Sequence, residues 1–325
     1  MDTILGLLGG LALFLYAMAK LSDTLKPLAG DRMKSMLAKL TTNAVAGVVT
    51  GCVATTILDS SSVTIILVIA LVHAGALTFE QSMAVILGSN IGTTVSSQLF
   101  ATQIDRWAPL IMIAGLVIVV LLRGKAHDQY GYAVFFLGLL LYGLHLMGLA
   151  MEPLAESASF ERWLKGLESP VYGACIGALA TAIIQSSSAF MGIVVKLASA
   201  GLMTLPAGIA VMLGAEIGTC LDTLVASVGR SREAIRAGMF HLIFNLTTVT
   251  LGLIFYRQLA AVAGWLPAGN VAQQIANAHV FFNVAGALLF LPFLTLCASA
   301  LKTLITDGGG DGNAGGSATS LAATP

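Results

Sequence analysis

Thr55-Thr56-Ile57-Leu58-Asp59-Ser60-Ser61-Ser62 recurs 126 residues later as Thr181-Ala182-Ile183-Ile184-Gln185-Ser186-Ser187-Ser188. Without a gap, the same register lays Ala74-Gly75-Ala76-Leu77-Thr78 on Ala200-Gly201-Leu202-Met203-Thr204. It also lays Gly88-Ser89-Asn90-Ile91-Gly92-Thr93 on Gly214-Ala215-Glu216-Ile217-Gly218-Thr219, and more than a third of the positions between 47–100 and 173–226 are identical. Biased composition alone does not hold one register for so long, so the chain reads as a duplication.

Around that repeat, 57% of the 325 residues are hydrophobic and 10% charged. Soluble domains carry about 25% charged residues, so this composition belongs to a chain whose solvent is lipid. Lys plus Arg and Asp plus Glu number 16 each. The balance leaves no basic face for nucleic acid. Cys52, Cys175, Cys220 and Cys297 lie in apolar stretches with no CxxC pair and read as small buried hydrophobes. Residues 3–22 follow Met1-Asp2 with no basic leader, so they read as a retained span and not a signal peptide.

Each unit opens on an apolar helix (3–22; 131–150), followed by a short amphipathic stretch (31–42; 157–168) suited to the interface. Two apolar arms then meet at each serine triplet (44–57 with 63–77; 170–184 with 189–202). Arms this short fall below the ~20 residues a full span needs, so each pair predicts a re-entrant helical hairpin, 44–77 and 170–202. Segments 81–99 and 207–226, interrupted by Gly-x-x-x-Gly-Thr, predict broken helices; 108–122 and 234–256 close the units. The expected architecture is an all-α polytopic membrane protein. Its first repeat is 1–126 and its second 127–256, with an extra helix at 274–301 within 257–304 and a Gly-rich disordered tail at 305–325.

Three crossings plus a returning hairpin would insert the second unit upside down, as an inverted-topology repeat whose hairpins meet at mid-membrane. With the N-terminus outside and the C-terminus cytoplasmic, eleven Lys and Arg fall on inner links and four (Arg106, Arg162, Lys165, Arg257) on outer ones. That follows the positive-inside rule.

Of the 32 charged residues, Asp59, Lys196, Glu216 and Asp222 alone fall inside apolar segments. Ionisable groups at that depth are costly and mark function. The serine triplets offer hydroxyls beside unpaired helix N–H groups, which suits an oxyanion. Gly88…Asn90…Gly92-Thr93-Thr94 and Gly214…Glu216…Gly218-Thr219 offer oxygen ligands for a hard cation. His145, His241, His279, Asn245 and Asn283 read as hydrogen-bonded packing residues.

The paired Q-S-S-S and G-x-N-I-G-T motifs, with His241-Leu242-Ile243-Phe244-Asn245 and His279-Val280-Phe281-Phe282-Asn283, resemble the type II sodium–phosphate cotransporters, including bacterial members. The likeness covers residues 1–302. It implies a multi-pass protein of the bacterial inner membrane that moves inorganic phosphate with sodium as coupling ion, with no cofactor and no nucleic acid. Ser60, Ser61, Ser62, Gln185, Ser186, Ser187 and Ser188 would hold the anion. Asp59, Asn90, Thr93, Thr94, Glu216 and Thr219 would bind sodium or couple to it, with Lys196 and Asp222 as charge compensation. A homodimer suits such symmetric assemblies.

Two residues depart from the pattern: Asp59 stands for Gln, and Glu216 for Asn. Their negative charge implies altered coupling, by sodium count or proton, or a changed substrate. An exporter of the same fold is an open alternative. An intramembrane lipid-pyrophosphate phosphatase is disfavoured, because no Arg or His lies within ten residues of either triplet. A passive channel fits two closing tips poorly.

Overall fold

The computed structural model describes residues 2–122, 128–151, 153, 157–266 and 269–306. The expected tail beyond residue 306 lies outside the described residues, as do Arg123, Lys125, Glu152 and Glu156. Among the described residues every regular element is helical. Six helical stretches among these residues are long and apolar enough to cross a membrane, or seven if one pair bent by 101° counts as a span. The chain is a multi-pass membrane protein.

Helix α1 (Asp2–Leu40) turns at Gly30, whose φ of 37° and ψ of −136° suit a residue without Cβ. The bend separates the span from the arm expected at 31–42. Then come α2 (Ala44–Leu58), α3 (Ser61–His73), α4 (Phe79–Ala101), a 3-10 turn (Ile104–Trp107) and α5 (Ala108–Leu121). The second half runs α6 (Asp128–Met151), α7 (Ala158–Gly166), α8 (Pro170–Ile184), α9 (Ser187–Ser199), α10 (Leu205–Gly218), α11 (Cys220–Ser227) and α12 (Arg232–Ile254). After α13 (Tyr256–Trp265), which the sequence reading did not anticipate, α14 (Val271–Phe290) leads through a 3-10 turn into α15 (Leu294–Leu304).

One expectation fails. The Gly-x-x-x-Gly-Thr segments do not unwind: α4 runs unbroken from Phe79 to Ala101, and at Thr219, between α10 and α11, the backbone stays helical (φ −65°, ψ −24°). Their glycines serve contact. A Cβ on Gly88 would sit 1.9 Å from the Val48 carbonyl oxygen, and one on Gly214 would sit 1.9 Å from that of Ala174. From the facing helices, Cβ atoms on Gly51 and Gly177 would come within 2.1 and 2.0 Å of the Val85 and Val211 carbonyl oxygens. All four positions obey the 126-residue register, so α2 on α4 and α8 on α10 are the same backbone-to-backbone seam built twice. Small residues drive such seams where lipid offers no hydrophobic gain between helices.

The helix expected to lie outside the duplication has a place in it. His279 of α14 meets Ser97 of α4, and His241 of α12 meets Thr223 of α11, both at 2.8 Å. Ser97 and Thr223 are repeat equivalents, so α14 stands to the first half as α12 stands to the second. By register α5 matches α12, but it carries Gly115 and Val119 where α12 has His241 and Asn245, and it packs along α6 instead.

Gly88→Ala and Gly214→Ala should each cost about 3 kcal/mol or more through overpacking, read as a fall in thermal midpoint in detergent. Gly9→Ala, where a Cβ meets nothing within 4 Å, should not lower the midpoint and should raise it slightly.

Candidate functional site

Both helix pairs break in the same way. Asp59 ends α2 in the left-handed region (φ 50°, ψ 32°), and Gln185 ends α8 there (φ 59°, ψ 27°). Neither is glycine, so each break stores roughly 1–2 kcal/mol of backbone strain. Ser60 and Ser186 then extend and cap the next helices, accepting from the N–H of Val63 and Ala189 at 3.2 and 3.1 Å. The following serines are buried in the first turns: Ser61 and Ser62, Ser187 and Ser188.

Around the first triplet, Ser96 donates to Asp59 Oδ1. Ser62 donates to Asp222 Oδ2 of α11 at 3.0 Å, a bond between the two halves. Ser96 and Asp222 are themselves repeat equivalents. Asp59, Thr56 and Ser96 also line a cavity of about 270 Å³ walled by Leu21, Leu137 and other apolar side chains of α1, α4 and α6. Around the second triplet Gln185 is exposed, and Ser186 lies 3.5 Å from Met18 Sδ. Among the described residues no hydrogen bond joins the two triplets directly.

The largest polar network centres on Glu216, 6% exposed. Its Oε1 accepts from His279 Nε2 at 2.9 Å and Asn283 Nδ2 at 2.8 Å. Its backbone carbonyl accepts from Asn245 Nδ2 at 3.0 Å, and Asn90 Nδ2 donates to Asn245 Oδ1 at 2.8 Å. The two predicted positions Asn90 and Glu216 are thus joined through one asparagine.

The same bonds constrain where the two buried histidines carry protons. His279 presents a proton on Nε2 to the carboxylate, and its Nδ1 lies 2.8 Å from the Ser97 hydroxyl. His241 Nε2 faces the Asn245 amide at 2.9 Å and must accept, so its Nδ1–H donates to Thr223, whose hydroxyl donates on to the Cys220 carbonyl.

Thr93, Thr94 and Thr219 turn their hydroxyls onto carbonyls of their own helices, those of Ser89, Ile91 and Ala215. Lys196 does not compensate the departing acids. Its Nζ is bound to Asp105 Oδ2 at 2.6 Å, with His145 Nδ1 3.3 Å from the same oxygen. Sequence reading placed Asp105 in a link and passed over Ser96 and Ser97. Register was the available signal for all three, since they align with Ser231, Asp222 and Thr223.

Among the described residues two buried hydroxyls are orphaned, those of Thr181 and Ser231, and the first is explained by the register. Thr55 bonds Ser89 at 2.7 Å, but the position equivalent to Ser89 is Ala215, and the Oγ1 of Thr181, the equivalent of Thr55, has no partner.

A polytopic helical protein with two serine-capped helix breaks and a buried polar core has the form of a solute transporter. The Na+/Pi-cotransporter family model matches it over residues 13–149 and 139–282, and the chain belongs to that family of phosphate transporters. It is 31% identical to the protein YqeW of Bacillus subtilis over 295 residues, 90% of this chain and 95% of that one. It is 25% identical over 308 residues to YjbB of Escherichia coli K12, named as a candidate inorganic phosphate export protein; the match takes in 94% of this chain and 56% of that one. Human sodium-dependent phosphate transport protein 2B is 40% identical over 89 residues, 26% of this chain and 13% of that one. No solved structure matches at a significant level.

Two stability tests follow from these contacts. Lys196→Met strands a carboxylate whose side chain is 11% exposed, and should cost about 3 kcal/mol. The double variant with Asp105→Asn should unfold at a higher temperature than Lys196→Met alone. Ala215→Ser supplies the missing partner of Thr181 and should raise stability by about 1 kcal/mol, measured in the same detergent.

Proposed function

We propose that the chain is a secondary active transporter and not an enzyme, carrying inorganic phosphate with sodium by alternating access. The observation that carries this reading is the matched pair of breaks at Asp59-Ser60 and Gln185-Ser186, each opening a helix whose first turn presents buried serines. First-turn N–H groups have no carbonyl partner within the helix and carry the positive end of its dipole. Two such ends, with the hydroxyls of Ser60–Ser62 and Ser186–Ser188 and the Gln185 amide, can surround an anion that accepts on every oxygen.

The hairpins are α2–α3 and α8–α9. They belong to two repeats, 1–126 and 127–256, inserted with opposite topology in a bacterial inner membrane, N-terminus outside and C-terminus cytoplasmic. The charge count of the links, the twofold family match and the shared register of both seams support this arrangement. Sodium would be held by oxygens beside the triplets, from Asp59, Asn90, Thr93, Thr94, Glu216 and Thr219, with Asp222 completing the charge around Ser62. Buried cations and a buried anion lower each other's cost, which is the electrostatic basis of symport. The acids at 59 and 216, where the family resemblance has Gln and Asn, alter the coupling, by sodium count or by a proton, or change the substrate. Export is the second reading, favoured by the name of YjbB.

Purified protein in liposomes should take up labelled phosphate under a sodium gradient. Ser61→Ala and Ser187→Ala should each lower the rate by about tenfold or more, as expected when a buried donor to an anion is lost. Uptake indifferent to sodium, or untouched by both substitutions, would sink the reading.

A further inference from the structure

Asp105, in the turn after α4, and Ser231, just before α12, occupy the same position of the duplication. Each meets the far end of the other half's serine-capped helix. Asp105, its side chain 11% exposed, binds Lys196, near the end of α9, whose side chain is 16% exposed. Ser231 donates its backbone N–H to Nδ1 of His73, the last residue of α3, at 3.0 Å. The two contacts are reciprocal: first half holding second, second holding first.

We propose that these contacts are the two closing points of the transport cycle, Asp105–Lys196 on one membrane face and His73–Ser231 on the other, broken alternately to admit solute. The proposal rests on the alternating-access reading above. Helices α3 and α9 are 13 residues each, about 20 Å at 1.5 Å per residue. Each carries its triplet at one end and its contact at the other, so pinning the contact fixes where the serines stand. Asp105 and Lys196 are positioning residues that act on the anion only through α9. The link charges place the Asp105 turn outside and the Ser231 turn inside, which puts the points on opposite faces.

Their chemistry is unequal. A lysine at membrane depth is costly without its acid, so the Asp105 contact opens only as water enters that face. The other contact is one neutral hydrogen bond at an exposed histidine. This structure has both contacts made, as an occluded state requires.

The test uses paired cysteines, Asp105→Cys with Lys196→Cys and His73→Cys with Ser231→Cys. Both sit in a background whose native Cys52, Cys175, Cys220 and Cys297 are alanine and whose phosphate flux is measured first. Bridging either pair with a short reducible bis-methanethiosulfonate linker should lower flux by about tenfold, and reductant should restore it. Undiminished flux through protein shown to be bridged overturns the proposal. If the unbridged Asp105/Lys196 cysteine pair is already inactive, the charge-exchanged variant Asp105→Lys with Lys196→Asp decides. Regained flux supports the contact, and folded but silent protein overturns it. Wild type without phosphate flux under any gradient would strike the transport reading itself, an outcome seen before any linker is added.

Discussion

A carboxylate buried in an apolar bundle must find its donors inside the protein, because lipid has none to lend. Glu216 finds them on α14, in His279 and Asn283, and this necessity organises the centre of the molecule. It draws α14 against α10 and brings Ser97 of α4 under the imidazole. Asn90, at the equivalent position, makes a gentler demand that one amide on α12 satisfies. The duplicated frame is therefore near-symmetric in backbone and asymmetric in charge.

Much of this was legible before any coordinates. The 126-residue register located both helix breaks, and arm length correctly made Ala44–Leu58 and Ser61–His73 separate short helices. What misled was the glycine motif. Gly88 and Gly92 signal either a kink or a close neighbour, and only the partner helix decides between them. Lys196 was misassigned for a related reason. Its partner Asp105 is 91 residues away in a turn that composition marks as an ordinary link. The histidines were correctly read as hydrogen-bonded residues, but i to i+4 spacing on α12 and α14 could not reveal that both helices serve one network.

The register also carries information about what is absent. Thr181 keeps a hydroxyl whose partner serine exists only in the first half, and Gln185 is exposed where Asp59 meets Ser96. Such mismatches are where one ancestral arrangement has drifted into two specialised halves, and they cluster around the triplets and the polar core. The glycines of the seams have not drifted: four positions keep their carbonyl contacts to within about 0.1 Å of one another in the two copies.

Those seams have a mechanical meaning. Where a Cβ would fall 1.9 to 2.1 Å from a carbonyl oxygen, two helices cannot slide or roll past one another without a collision. Each seam therefore moves as a rigid body. Flexure has to come from the joints, and in each half the joint is a single strained residue, Asp59 or Gln185, between the seam and its serine-capped helix. A mutation at a joint would therefore alter the stiffness of the machine as well as its grip on the cargo.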